Sequence, residues 1–451
     1  MKTVYIQEWR KYSKSHLLDK LENNMDTFEK LLKYSLMDVD KDKYKVKYVG
    51  VIIINDFVIK CFPKYVPDEI SPKNHFSQVL KVIKKYKKFH ENLDYENEEL
   101  DDISYNQLSM MIFFLEDYYE MGVYTNSQRI FKINGNGEID WDRTINNSLP
   151  IVKDKIPHYV DLYTKYNIND LSDYFRLLHE HIITTCSKCL ENAGLLEIFD
   201  LTPVNLSDKN REDFGEDAFI VNRLTKELNV EFNSHKRKLL KAMRTFISEK
   251  NSFSSKNFLT VYGTSSYHVI WEEICRRILD DKLYVELGVS ISDLNENYSP
   301  NDKLIEIIEK PKWNLGDNEL KADGTFRPDI ITFYRDEFNH NYFVIFDAKY
   351  YTIELEMDKI RGQPGIESVS KQYLYQLAYK EFIGLHKFEG TKNAFLLPSY
   401  EDKIVNWGFV SLEILHNNLE LENIQVIMLP ASEANQLYLD GKRMNIEKFL
   451  N

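Results

Sequence analysis

The stretch that most constrains this chain is Thr325 to Tyr350, TFRPDIITFYRDEFNHNYFVIFDAKY. Phe326 to Tyr334 and Tyr342 to Phe346 are rich in aromatic and β-branched residues, as strands are. Between them Arg335 to Asn341 reads as a polar hairpin loop. Three polar residues interrupt these apolar runs, Asp329 near the start of the first and Asp347 and Lys349 at the end of the second. Side chains two apart in a strand share a face, so Asp347 and Lys349 point the same way. Antiparallel pairing across the loop brings Asp329 beside them. Two converging carboxylates with a neighbouring lysine suit a divalent metal such as Mg²⁺. Such a metal stabilises charge on a phosphate and helps generate hydroxide, while the ammonium orients water or steadies developing charge. A surface hairpin ending in ordinary charges has the same spacing. What favours a site is the apolar run Phe343-Val344-Ile345-Phe346, which drives straight into Asp347 and which a solvated turn does not need.

The flanks add candidates. Thr264-Ser265-Ser266 are good helix-capping residues, and Ile270, Ile274, Cys275 and Ile278 then form one apolar stripe. Glu272 lies near the inner edge of that helix, within reach of a metal on an adjacent sheet. Spacing alone explains Glu272 and Glu273 equally well as helical carboxylates, with Glu273 and Arg277 an i,i+4 pair. Beyond the Asp347 strand, Ser370 to Phe382 reads as a helix with Gln372, Gln376 and Tyr379 along one side. These groups suit positioning a phosphate or a carboxylate, or simply capping a sheet. Ala394–Leu397, Gly408–Leu412 and Ile424–Leu429 are each of strand length, so the C-terminal part predicts an α/β layer around a mixed central sheet.

The N-terminal part is β-rich, with two strand runs meeting at Asn55-Asp56. Residues 71–90 carry six lysines and no acid, and 91–102 carry seven acids and no base. A solvated helix face followed by an acidic loop is the commoner meaning of such a pattern, with a nucleic-acid patch the alternative. Tyr105 to Gly122, Leu171 to Leu195 and much of Glu212 to Phe246 predict helix. His179, His181, Cys186 and Cys189 invite a zinc reading, but a continuous helix spreads them around its circumference and structural zinc needs four convergent ligands. A buried helical pair of cysteines is the expectation. The domain expectation is a β-rich module over 1–155, a mostly helical connection over 156–255 and an α/β domain over 256–451.

With 43% hydrophobic and 29% charged residues, the chain reads as globular. Its net charge of −13 weighs against nucleic-acid binding by bulk charge alone. No run has membrane-spanning length, no signal pattern opens the chain, and four cysteines make no disulfide framework, so a cytoplasmic setting is expected. No GxxxxGK[ST] run occurs, so the chain is not expected to be an NTPase.

Pro328-Asp329 followed by Asp347-Ala348-Lys349 resembles the PD-(D/E)xK nuclease core. Several ordered pieces extend the likeness: Gly50-Val51 through Phe62-Pro63-Lys64, the Gly137 to Trp141 turn, Tyr262-Gly263-Thr264 leading to Trp271-Glu272, Arg327-Pro328-Asp329, and the Gln372 to Tyr379 helix. Together they resemble the LlaJI/McrC-like family of restriction endonuclease subunits. The resemblance implies an N-terminal adaptor region and a C-terminal Mg²⁺-dependent nuclease domain acting on double-stranded DNA. It also implies a separate McrB-type AAA+ NTPase partner, with room for further restriction subunits. On it Glu272, Asp329 and Asp347 match the metal carboxylates, Lys349 the lysine and Gln372 the glutamine after the core. Gln376 stands where a second glutamine is often found. A repair or recombination nuclease and a non-catalytic adaptor that activates an NTPase are the alternatives.

Overall fold

The computed structural model describes all residues except 68–72, 95–106, 249–258, 317, 357–358 and 448–451. The chain is mixed α/β and gathers into two compact units, one of residues 102–261 and one of 2–101 with 262–451. This cuts the chain differently from three consecutive stretches. The first hundred residues pack with the C-terminal part, and the helices expected to form a connection belong with residues expected to lie in the N-terminal module.

In the first unit the helix Gln107–Met121 packs on the helix Tyr174–Asn192. The Tyr124 amide donates to His179 Nδ1 at 3.0 Å, and His181 Nδ1 lies 2.9 Å from the Lys209 carbonyl oxygen. Cys186 and Cys189 are buried on that same helix. Helices Asp217–Val230 and Ser234–Ser248 follow, and Ser127–Ile133, Tyr163–Asn169 and Glu138–Ile139 make a three-stranded antiparallel sheet.

The second unit holds two main sheets. In the N-terminal one, Val49–Ile54 and Phe57–Phe62 form the expected hairpin over Asn55-Asp56, and Lys2–Gln7 runs parallel to Phe57–Phe62. The Tyr262–Thr264 end of the strand Leu259–Thr264 closes on the other edge. Two glycines permit this approach. Gly50 has φ +141°, and a Cβ there would sit 2.2 Å from the Tyr262 carbonyl oxygen; one on Gly263 would sit 2.1 Å from that of Val49. Lys85, from the lysine-rich helix Lys73–Asp94, donates to the Tyr438 and Leu439 carbonyls at 2.7 and 3.0 Å. It thereby caps the end of the helix Ala431–Asp440.

The C-terminal sheet has five strands in the order Ile330–Arg335, Asn341–Ala348, Gly390–Ser399, Ile424–Pro430, Val405–Val410. The outer pairs are antiparallel and the inner ones parallel, so the sheet is mixed. The first hairpin is turned by Asp336, whose Oδ1 accepts from the Phe338 and His340 amides at 2.9 and 2.8 Å. The helix Ile366–Leu385 makes the crossover to Gly390–Ser399 and covers one face, packing Tyr375, Tyr379 and Phe382 on Ile331, Phe343 and Ile345. Val344 and Phe346, pointing the other way, are equally buried, and the helix Tyr267–Ile278 packs against their strand. Burial on both faces explains the unbroken apolar run. The strand expected over Gly408–Leu412 lies instead at Val405–Val410, because a bulge between Asn406 and Phe409, with Gly408 at φ +113°, shifts its register.

Gly50→Ala is expected to destabilise the protein by roughly 2 kcal/mol or more through this strand contact. Urea unfolding measures it, and an unchanged midpoint would show that the strands part without cost.

Candidate active site

The hairpin register sets the site. Ile330 pairs with Phe346 and Ile331 with Ile345, so the next rung out places Asp329 opposite Asp347. The Ala348 amide donates to Asp329 Oδ2 at 3.0 Å, which fixes the carboxylate at the strand end. Lys349 Nζ lies 2.8 Å from both carboxylate oxygens of Asp347. The Leu396 carbonyl accepts the Lys349 amide at 2.9 Å and the Trp271 indole N–H at 3.2 Å, tying the end of this strand to the helix that carries Glu272.

The electrostatics are those of crowded negative charge. Burial, then the Asp347 charge and a hydrogen bond with it, push the Asp329 carboxyl up to about 8. Burial and the Asp329 charge raise Glu272 as well, while Arg276, Arg327 and Lys349 pull it back. Burial works against the Lys349 ammonium, but Asp347 and Asp329 outweigh it and hold its pKa above the ordinary lysine value. Glu272 is also paired with Arg276 at 2.6 Å, and Glu273 with Arg277 at 2.7 Å.

The glutamine helix divides its roles. Gln372 is fully buried and donates to Asn393 Oδ1 at 2.8 Å, Asn393 lying two rungs from Asp347 in the sheet, and the Gln372 Oε1 has no hydrogen-bond partner among the described residues. Gln376 instead clamps Glu422, donating to its carbonyl and accepting its amide, both at 2.9 Å. Tyr379 donates to the Leu304 carbonyl at 2.9 Å. Both are used to hold neighbouring segments, away from the carboxylates.

Two contributors were not foreseen. The Tyr375 hydroxyl donates to the Arg327 carbonyl at 3.0 Å, fixing the segment that leads into Asp329, and the Asp347 and Asp329 charges add to burial in raising its pKa. Its place three residues after Gln372 was the available signal. Beyond Lys349, the Tyr350 hydroxyl donates to Glu8 Oε2 at 2.5 Å, and both residues are buried. No spacing pattern links residues 342 positions apart.

Among the described residues no three His, Cys, Asp or Glu side chains meet as a ready metal cage. The oxygen donors do fit Mg²⁺, which is commonly held by one or two carboxylates and keeps several waters. Asp329 and Asp347 are such a pair, and their mutual repulsion is what a cation would relieve.

The LlaJI restriction endonuclease family model matches residues 48–432. The chain belongs to this family. It is thus a restriction-system subunit from a nuclease family. The LlaJI-family chain is 29% identical to component YdjA of the type II restriction enzyme BsuMI from Bacillus subtilis (strain 168), over 98% of its own length and 90% of YdjA. A chain of a half-complex from the tetradecameric assembly of Thermococcus gammatolerans McrB AAA+ hexamers with bound McrC aligns over 98% of this chain and 99% of its own, at TM-score 0.36 and 12% identity. A chain of the Thermococcus gammatolerans McrBC complex covers 57% of this chain and 83% of its own, at TM-score 0.25 and 13% identity. None of the described helices of the LlaJI-family chain is long and apolar enough to cross a membrane.

The raised Asp329 carboxyl gives metal-free stability a pH dependence. Between about pH 4 and pH 8 the unfolded chain has released this proton and the folded chain keeps it, so stability falls as pH rises through that window. Asp329→Asn does not titrate, and its stability relative to wild type in urea melts is expected to increase steadily across the window. A difference independent of pH would mean that Asp329 is already ionised at its lower end.

Proposed function

We propose that this chain is the Mg²⁺-dependent endonuclease subunit of a restriction system, with a PD-(D/E)xK core that hydrolyses phosphodiester bonds of double-stranded DNA. The observation that carries the reading is the convergence of Asp329, Asp347 and Lys349 at one strand end, with Asp329 pushed up to about 8. Perturbed carboxylates with a lysine partner at the edge of a sheet suit catalysis better than stability. Family membership supports the same chemistry.

Asp329 and Asp347 would hold the metal, with Glu272, whose carboxylate feels the Asp329 charge, as the third candidate ligand. Mg²⁺, when bound, supplies stabilisation of the charge that develops on the phosphate and eases ionisation of the attacking water. Lys349, held in its charged form, orients that water by hydrogen bonding and steadies the phosphoryl oxygens. Water attacks phosphorus in line and gives up a proton to solvent as its oxygen forms the new P–O bond, while the bond to the 3′-oxygen breaks and that oxygen takes up a proton from solvent. Gln372 braces the sheet beneath Asp347 through Asn393. A separate AAA+ NTPase subunit of McrB type belongs to this reading, supported by the motif resemblance and by the lack of a phosphate-cradling loop in the sequence.

Plasmid cleavage with Mg²⁺, with and without the NTPase subunit encoded beside this chain, tests the proposal. Asp347→Ala and Lys349→Ala are each expected to lower cleavage by roughly a hundredfold or more, and Glu272→Gln by less. No cleavage by wild type under any condition, with NTPase stimulation retained, would replace the nuclease by an adaptor.

A further inference from the structure

Upstream of Asp329 the chain builds a two-stranded ribbon, Lys312–Leu315 against Asn318–Lys321, exposed along both strands. Its register pairs Lys312 with Lys321 and Asn314 with Glu319 on one face, and Trp313 with Leu320 and Leu315 with Asn318 on the other. Trp313, Leu315 and Leu320 are 59%, 62% and 62% exposed. A two-stranded ribbon is marginal by itself, and three large apolar side chains in water do not stabilise it. The ribbon's base is closed by the Ala322 amide on the Pro311 carbonyl at 2.8 Å.

Lys312 and Lys321 line a cleft of about 630 Å³ whose wall also includes Lys310, Tyr284 and Arg327. Glu306, Glu309 and Asp323 share the walls, and Glu306 is turned to the Lys303 amide at 2.8 Å. Arg327 joins the cleft to the carboxylates. It stacks over Tyr284 at 5.4 Å, its carbonyl is held by Tyr375, and its charge is felt at Glu272. Asp329 follows two residues later.

We infer that this ribbon and the cleft beside it hold duplex DNA against the carboxylate pair, the lysine face and Arg327 taking backbone phosphates and the Trp313 face entering a groove. The inference rests on the nuclease reading. Two-stranded ribbons fit a DNA groove, apolar side chains contact base edges and sugars there, and cations on the ribbon bind the phosphates that border it. In a chain of net charge −13 the cleft is one place where cations outnumber acids, Lys310, Lys312, Lys321 and Arg327 against Glu306, Glu309 and Asp323. The lysine-rich helix Lys73–Asp94 suits this less well, because Lys85 caps another helix and Lys87 lies over the Tyr262 ring at 4.8 Å.

The test is anisotropy of a short labelled duplex with full-length Asp347→Ala protein in Mg²⁺, between about 50 and about 200 mM salt. Adding Lys312→Glu and Lys321→Glu is expected to weaken binding about tenfold or more and to lower the salt slope by roughly two phosphate contacts. Adding Trp313→Ala is expected to weaken it about fivefold with the slope unchanged. Unfolding midpoints equal to the parent's show that the fold is kept. Plasmid cleavage in the wild-type background separates the two readings. Wild type that cuts, with ribbon variants that bind and cut equally well, overturns the DNA role of the ribbon alone and leaves its apolar face to a protein partner. Wild type that neither binds nor cuts, with the NTPase subunit present or absent, overturns both.

Discussion

The structure of the second unit turns on one strand pairing that forces two carboxylates together in a buried place. Asp329 and Asp347 face each other across the rung next to Ile330 and Phe346. Like charges at this range in a low-dielectric setting cannot both stay ionised without compensation. The protein supplies some: the Ala348 amide on Asp329 and the Lys349 ammonium, which bonds Asp347 and whose charge also acts on Asp329. It does not supply enough, and Asp329 remains far above its ordinary value. The surrounding architecture keeps the pair from relaxing apart. The Asp347 strand is buried on both faces, Tyr375 pins the Arg327 carbonyl, and Leu396 anchors both Lys349 and Trp271.

The N-terminal sheet belongs to the same device. Glu8 is 2% exposed and its pKa is raised, by burial first, against the lowering pull of Tyr350 and Lys64. The Tyr350 hydroxyl that donates to it sits one residue beyond Lys349, packed edge-on to Tyr65 at 6.1 Å and against Tyr267 at 5.3 Å, with Lys64 Nζ 4.5 Å over its ring. Removing one partner of a buried hydrogen bond to a charged group is costly because the other is left unpaired. The first hundred residues are therefore joined to the strand end that carries the site, which is why they pack with the C-terminal part rather than with the segment that follows them.

What the sequence made legible was local. The Asp347 hairpin has period and turn chemistry within one window, as do the Asn55-Asp56 hairpin and the Tyr267–Ile278 helix, and all three fold as read. The pairing of Asp347 with Lys349 followed from strand alternation alone. Spacing could not separate functional from structural polar groups on one helix face. Gln372, Gln376 and Tyr379 look equivalent by periodicity, yet the last two are spent on the Glu422 and Leu304 backbone. The strand near Gly408 was misread because a bulge leaves no hydrophobic trace. The division into units escaped because it depends on contacts such as Gly50 with Tyr262, between residues more than two hundred apart in sequence.

Lysine next to two carboxylates invites a role as general base, and the geometry argues against it. A base must shed its proton near neutral pH, which needs desolvation to win over neighbouring charge. Here burial of Lys349 is outweighed by Asp347 and Asp329, so the ammonium is held more firmly charged than in water. Its bond to both oxygens of Asp347 is the interaction with which a cation held between the carboxylates would compete, since both would place positive charge at the same oxygens. In this state Lys349 is a donor to oxygen and holds no free pair with which to take a proton.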